Sequence, residues 1–214
     1  MATISPKPTP PDSLVISYLT LRKMVGLLGI SLVPVVVLGS FILDHTTHIL
    51  ASVSAYYYTS MRNGLVGILC GISMFLLSYN GYTKLDAIAS KSAGVFALGI
   101  AFFPTSNLSG KAGIISELHY ITAAFFFAIL AFMSIFLFTK SAGNMTPEKK
   151  KRNRVYRVCG IMMLVTIIGI PIVDMPSIYD RLIFIRPKVI LEFLTLTSFG
   201  ISWLTKGQFI LADK

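Results

Sequence analysis

The chain has little charge. Asp, Glu, Lys and Arg make up 13% of its 214 residues, about half the roughly 25% typical of soluble domains. With 54% hydrophobic residues and a mean hydropathy of +0.74, that scarcity excludes an ordinary water-soluble globule and points to a membrane protein. Cysteine is scarce too. Cys70 and Cys159 fall in apolar runs at different depths, which argues against a disulfide, and no CxxC pair offers a metal site. Neither HExxH nor GxSxG occurs, so a zincin helix and a nucleophile elbow are both missing. No short apolar leader ends in a small-residue cleavage site, so a removable signal peptide is not expected. The ten-residue alternation of a membrane barrel is also lacking.

Acidic residues are outnumbered. Nine Asp and Glu stand against 19 Lys and Arg, a net charge of +10. Such a surplus can mark a nucleic-acid binder, but here the cations lie between apolar runs, with no interleaved aromatic patch. Their role is to set topology, and nucleic acid is not expected as a partner.

Long apolar runs are what the chain has in abundance. A spanning helix needs about 20 such residues. Six stretches qualify or nearly do: Met24–Leu43, Gly64–Tyr79, Ser92–Pro104, Leu118–Phe138, Val155–Val173 and Val189–Thr205. The expected fold is all-α, a polytopic six-helix transmembrane bundle over residues 13–214. A proline-rich tail, "SPKPTPPD", precedes it within residues 1–12 and is expected to be disordered. With both termini cytoplasmic, 14 of the 19 Lys and Arg lie inside, leaving Arg62, Lys111, Arg181, Arg186 and Lys188 outside. The plasma (inner) membrane is the expected location. "TPEKKKRNR" (Thr146–Arg154) then reads as a solvated inner loop able to meet anionic headgroups.

Gly67 and Gly71, Ala93, Ala97 and Ala101, and Ala124 and Ala128 form small-residue stripes at four-residue spacing. They suit close helix packing, either within the bundle or in a homo-oligomer. Pro34 and Pro171 each remove a backbone donor from a span, so kinks are expected there.

The unusual polar residues collect at the outer ends. Glu192 lies inside the last apolar run, where a carboxylate costs roughly 2.5–3.5 kcal/mol on an insertion scale. Its candidate partners are Lys188 at i, i+4, or Arg62, His119 or a ligand across the bundle. Arg62 and Asn63 open the second run, Glu117 and His119 the fourth, and Asp174 closes the fifth. The first outer loop, Asp44–Asn63, adds Asp44, His45, His48, Ser52, Ser54 and three tyrosines. Tyr56, Tyr57 and Tyr58 read as an interfacial aromatic belt. Asp44, His45, His48 and His119 are weak candidate metal ligands. Three such donors and a water would suit zinc. For Ser52 and Ser54 spacing identifies no base.

"RNGLVGILCGISMFLLSYNGYTKLDAIASKSAGVFALGIAFFPT" (Arg62–Thr105) and the following "ELHYITAAFFFAILAFMSIFLF" resemble small bacterial six-span proteins of unknown function. They more distantly resemble the Frag1/DRAM/Sfk1 group. The resemblance rests on the Arg-Asn pair, Asp86, "FPT" and "LHY", and implies six spans and a link to membrane-lipid organisation and GPI-anchor remodelling. The seven-span lipid-amidase superfamily is also similar, but its C-terminal histidine pair has no counterpart here, which puts its zinc mechanism in doubt.

The residues thus point to an outward-facing pocket that binds or modifies a lipid headgroup. His119 and Glu192 are the candidate catalytic, proton-transferring pair, and Arg62, Asn63, Glu117 and Ser54 the candidate ligand-binding groups. A membrane lipid is the expected partner. An ion or solute transporter, and a structural or regulatory subunit without catalysis, stay open as alternatives, as does whether the chain is an enzyme.

Overall fold

The computed structural model describes residues 17–105, 113–141 and 143–212. The proline-rich tail, Ser106 and Lys111 lie outside the described residues. Among the described residues seven α-helices follow one another: α1 (Tyr18–Leu43), α2 (Arg62–Ser78), α3 (Lys84–Phe102), α4 (Ile114–Phe132), α5 (Pro147–Val173), α6 (Pro176–Leu182) and α7 (Pro187–Lys206). No strand occurs among the described residues. Five of the helices are long and apolar enough to cross a membrane, and α2, at 17 residues, is shorter.

Helix ends follow capping chemistry rather than apolarity. Ser17 caps α1 by accepting from Thr20 N, so the helix begins six residues before the apolar run. Thr83 and Asp86 form a reciprocal capping box that starts α3 at Lys84. Thr146 accepts from Lys149 N, and Pro147 takes the first helical position of α5. The basic run expected to be a loop is therefore helical from Pro147 onward, and Arg152 and Asn153 within it are buried. Its caps outweigh its charge, because lysine and arginine are good helix formers. Pro34 and Pro171 lie within α1 and α5 as expected. α4 runs on into a π turn, Met133–Leu137.

α1 to α5 and α7 pack as a ring in chain order, and α7 closes the ring against α1. Glycine makes this closure close. A Cβ on Gly200 would stand 2.6 Å from Gly26 O, and one on Gly26 would stand 2.8 Å from Gly200 O. Ala93, Ala97 and Ala101 are fully buried and pack the bundle internally. Ala124 and Ala128 stay exposed, and Gly67 faces open space. Interhelical hydroxyl bonds join the walls: Ser134 to Ser202 at 2.7 Å, Thr195 to Thr166 at 2.6 Å, and Ser73 to Gly94 O at 2.7 Å. Outward faces are apolar, with Ile42 70% and Ile168 63% exposed, as a lipid-facing surface requires.

The ring has two unlike ends. At the end where α1 begins and α7 finishes, the Arg22 guanidinium lies buried among Tyr18, Tyr79 and Tyr82 and donates to Lys206 O. Tyr79, Trp203, Phe138 and Tyr156 stack edge to face in series beside it. The opposite end carries the α1–α2 loop, Phe103, His119, Asp174 and Lys188, and there the polar site forms.

Candidate functional site

The α1–α2 connection folds inward at this end. Val53 and Tyr56 are buried in the core, within and beside a short 3-10 turn at Ser54–Tyr58. Ser52 Oγ accepts from Ala55 N, and Tyr56 OH accepts from Leu50 N. Tyr56 is thus an anchor inside the bundle and not part of an aromatic belt. Tyr58 is exposed and donates to Thr105 O at 2.6 Å.

Glu192, on α7 beside α1, holds this loop. Its Oε2 accepts from Val53 N. Of the partners open to Glu192 from sequence, Lys188 at i, i+4 is engaged elsewhere: its Nζ bridges to Asp174 at 2.5 Å. The reason is geometric. α5 and α7 pack closely side by side, and Asp174 at the C-cap of α5 meets the first turn of α7, leaving Glu192 one turn deeper, facing the loop.

His119, on α4, is 5% exposed and engaged at both ring nitrogens. Nδ1 lies 2.7 Å from Phe103 O and Nε2 lies 3.0 Å from Ser54 Oγ. A carbonyl oxygen only accepts, so Nδ1 carries the hydrogen. In the neutral ring Nε2 is then an acceptor, and Ser54 O–H donates to it. This tautomer is assigned from the network.

These groups share one cavity of about 880 Å³, near the top of the roughly 300–1,000 Å³ range of ligand pockets. Ser54, His119, Asp174, Lys188 and Glu192 line its polar end, and Leu32, Leu69, Phe126, Ile167 and Leu196 its apolar walls. α4 and α5 meet tightly near their connection, where a Cβ on Gly160 would stand 3.1 Å from Ala131 O. The cavity lies between their other ends. Ile121 and Ile172, which line it, remain 50% and 44% exposed, so it opens sideways between α4 and α5. Around the polar end runs a hydrogen-bonded collar: Thr105 Oγ1 pairs with Tyr120 OH at 2.9 Å, and Lys188 Nζ sits 5.1 Å from the Tyr120 ring.

Of the sequence-derived candidates, the structure therefore gathers Ser54, His119 and Glu192. His119 and Glu192 line one cavity, but their hydrogen bonds go to other partners. Arg62, Asn63 and Glu117 are exposed and do not line the cavity. Arg62 instead donates to Tyr57 OH at 2.8 Å and lies 4.5 Å from that ring. His45 and His48 are exposed in non-helical loop, His45 with φ 51°, so they share no helix face. Among the described residues no three His, Cys, Asp or Glu side chains are grouped to hold a metal ion, and His45, His48, His119 and Asp44 are not brought together.

Lys188 and Asp174 form an ion pair in the cavity lining, a pairing that sequence spacing does not signal. The Ser54–His119 contact spans 65 residues and has no spacing signal at all. Comparison with protein-family models, with curated proteins and with solved structures gives no match for this chain.

Proposed function

We propose that the chain is a six-span integral membrane protein that takes a membrane lipid sideways into the cavity between α4 and α5. Its basic end lies in the cytoplasm, and its polar cavity end lies toward the outer leaflet. The observation that carries this reading is the cavity itself: apolar walls, a lateral mouth, and one end lined by Ser54, His119, Lys188 and Glu192. A lipid tail gains little free energy on leaving the bilayer, because the hydrocarbon around it is as apolar as leucine. Retention must come from the headgroup. Lys188, ion-paired with Asp174, supplies an ammonium donor there, and Ser54 and Tyr120 supply hydroxyls. α2 crosses as the sixth span with the help of its flanking residues.

Native mass spectrometry of protein released from membranes in mild detergent tests this. One phospholipid is expected to stay with the wild-type chain. Ala124→Trp, at the mouth, is expected to abolish its retention, and Lys188→Met to reduce it at least fivefold. A wild-type chain that carries no lipid overturns the reading.

A further inference from the structure

We propose that Ser54 is a nucleophile, with His119 as its general base, and that the chain hydrolyses a carboxylic ester of the lipid held in the cavity. The inference deepens the lipid-binding reading and rests on it. A serine hydroxyl becomes nucleophilic when a base sits within about 2.6–3.2 Å and a third group orients that base. Ser54 Oγ lies 3.0 Å from His119 Nε2, and Phe103 O, 2.7 Å from Nδ1, is the orienting group. The carbonyl of Phe103 thus does what a carboxylate does in Ser-His-Asp triads, fixing the productive tautomer. Both reacting side chains line the cavity.

Each partner is held by a different part of the ring. His119 is on α4, and Phe103 closes α3. Ser54 begins the 3-10 turn whose preceding residue, Val53, is tied to Glu192 on α7. Glu192 is therefore a positioning residue. It touches no reacting atom, but it fixes the backbone that presents the hydroxyl.

In the first step Ser54 Oγ attacks the ester carbonyl carbon while its proton passes to His119 Nε2. The tetrahedral species collapses, the C–O bond to the lipid alcohol breaks, and Nε2 returns the proton to that alcohol as it leaves. The acyl group now rests on Ser54 Oγ. A water then attacks the acyl carbon and gives its proton to Nε2. The bond to Ser54 breaks, Nε2 reprotonates Oγ, and the carboxylic acid departs. Lys188, paired with Asp174, lines the same end of the cavity. The apolar walls receive the acyl chain.

An alkyl fluorophosphonate probe tests the step on purified full-length protein in detergent, with native mass spectrometry of the same preparation run alongside. One adduct per chain is expected, mapped to the peptide carrying Ser54. Ser54→Ala is expected to abolish it and His119→Gln to slow labelling at least a hundredfold. Glu192→Gln, which keeps an acceptor for Val53 N, is expected to label near the wild-type rate, whereas Glu192→Leu slows labelling at least tenfold. Retained lipid without an adduct on Ser54 overturns the catalytic inference alone. Loss of both overturns it together with the lipid-binding reading.

Discussion

Val53 and Glu192 stand 139 residues apart, and the backbone N–H of one donates to the side chain of the other. That bond closes the polar end of the ring. It accounts for a carboxyl group inside an apolar helix: the acid satisfies a buried donor of an inward-folded loop. It also places Ser54, one residue along, against His119.

Removing the acceptor leaves a buried N–H without a partner, which costs about 1–3 kcal/mol. Glu192→Leu is expected to lower the thermal unfolding midpoint in detergent and to open residues 44–61 to protease. Glu192→Gln keeps an oxygen at the same place and is expected to do neither.

The same loop is tied at its start by Asp44. Oδ2 accepts from Ser40 Oγ at 2.9 Å and Oδ1 from Ser60 N at 3.2 Å. Hydrogen bonds from Ser60 and Ser40 hold the Asp44 carboxyl below the usual carboxylate range. A depressed folded value means that the carboxylate contributes stability above the unfolded pKa of about 3.9, and that this is lost as pH falls through the lower folded value. Protease cleavage within residues 44–61 is expected to rise below about pH 4, and Asp44→Asn is expected to flatten that dependence.

Glycine substitutions separate the ring closure from the outer surface. Gly200→Ala drives a methyl group against Gly26 O and Ile30, and such overpacking costs about 1–3 kcal/mol. Gly67→Ala meets nothing within 4 Å and is expected to be neutral or stabilising by up to about 1 kcal/mol, the helix propensity difference. Unfolding of the two variants in one detergent checks both.

The buried hydroxyl pairs are expected to matter less than the aromatic core. Thr195→Val removes the 2.6 Å bond to Thr166, and such bonds between membrane helices average about 0.6 kcal/mol. Trp203→Ala empties a fully buried site packed by Tyr79, Phe138 and Phe199 and is expected to cost about 3–5 kcal/mol.

Much of the architecture was legible before any coordinates. Each of the six apolar runs falls on a long helix, because burial in hydrocarbon or a helical core needs only a sufficient local run of apolar side chains. The basic run is helical although it is not apolar, because apolarity measures only the buried or lipid-facing part of a helix. Thr146–Pro147 is a start signal visible in sequence, and it places the helix there whatever its charge. The candidate site is legible only as a grouping at one end of the bundle: sequence places His119, Glu192 and Ser54 together there, where they meet, but it places Arg62, Asn63 and Glu117 there as well, and these do not line the cavity.

Local composition, then, settled for this protein that it would be helical, apolar on its outside and basic toward one end, since each of these is a sum over neighbouring residues. Which polar groups touch was decided only when α7 closed against α1 and the first loop folded inward. Hydrogen bonds reach about 3 Å, and no spacing rule spans the 65 residues from Ser54 to His119 or the 139 from Val53 to Glu192.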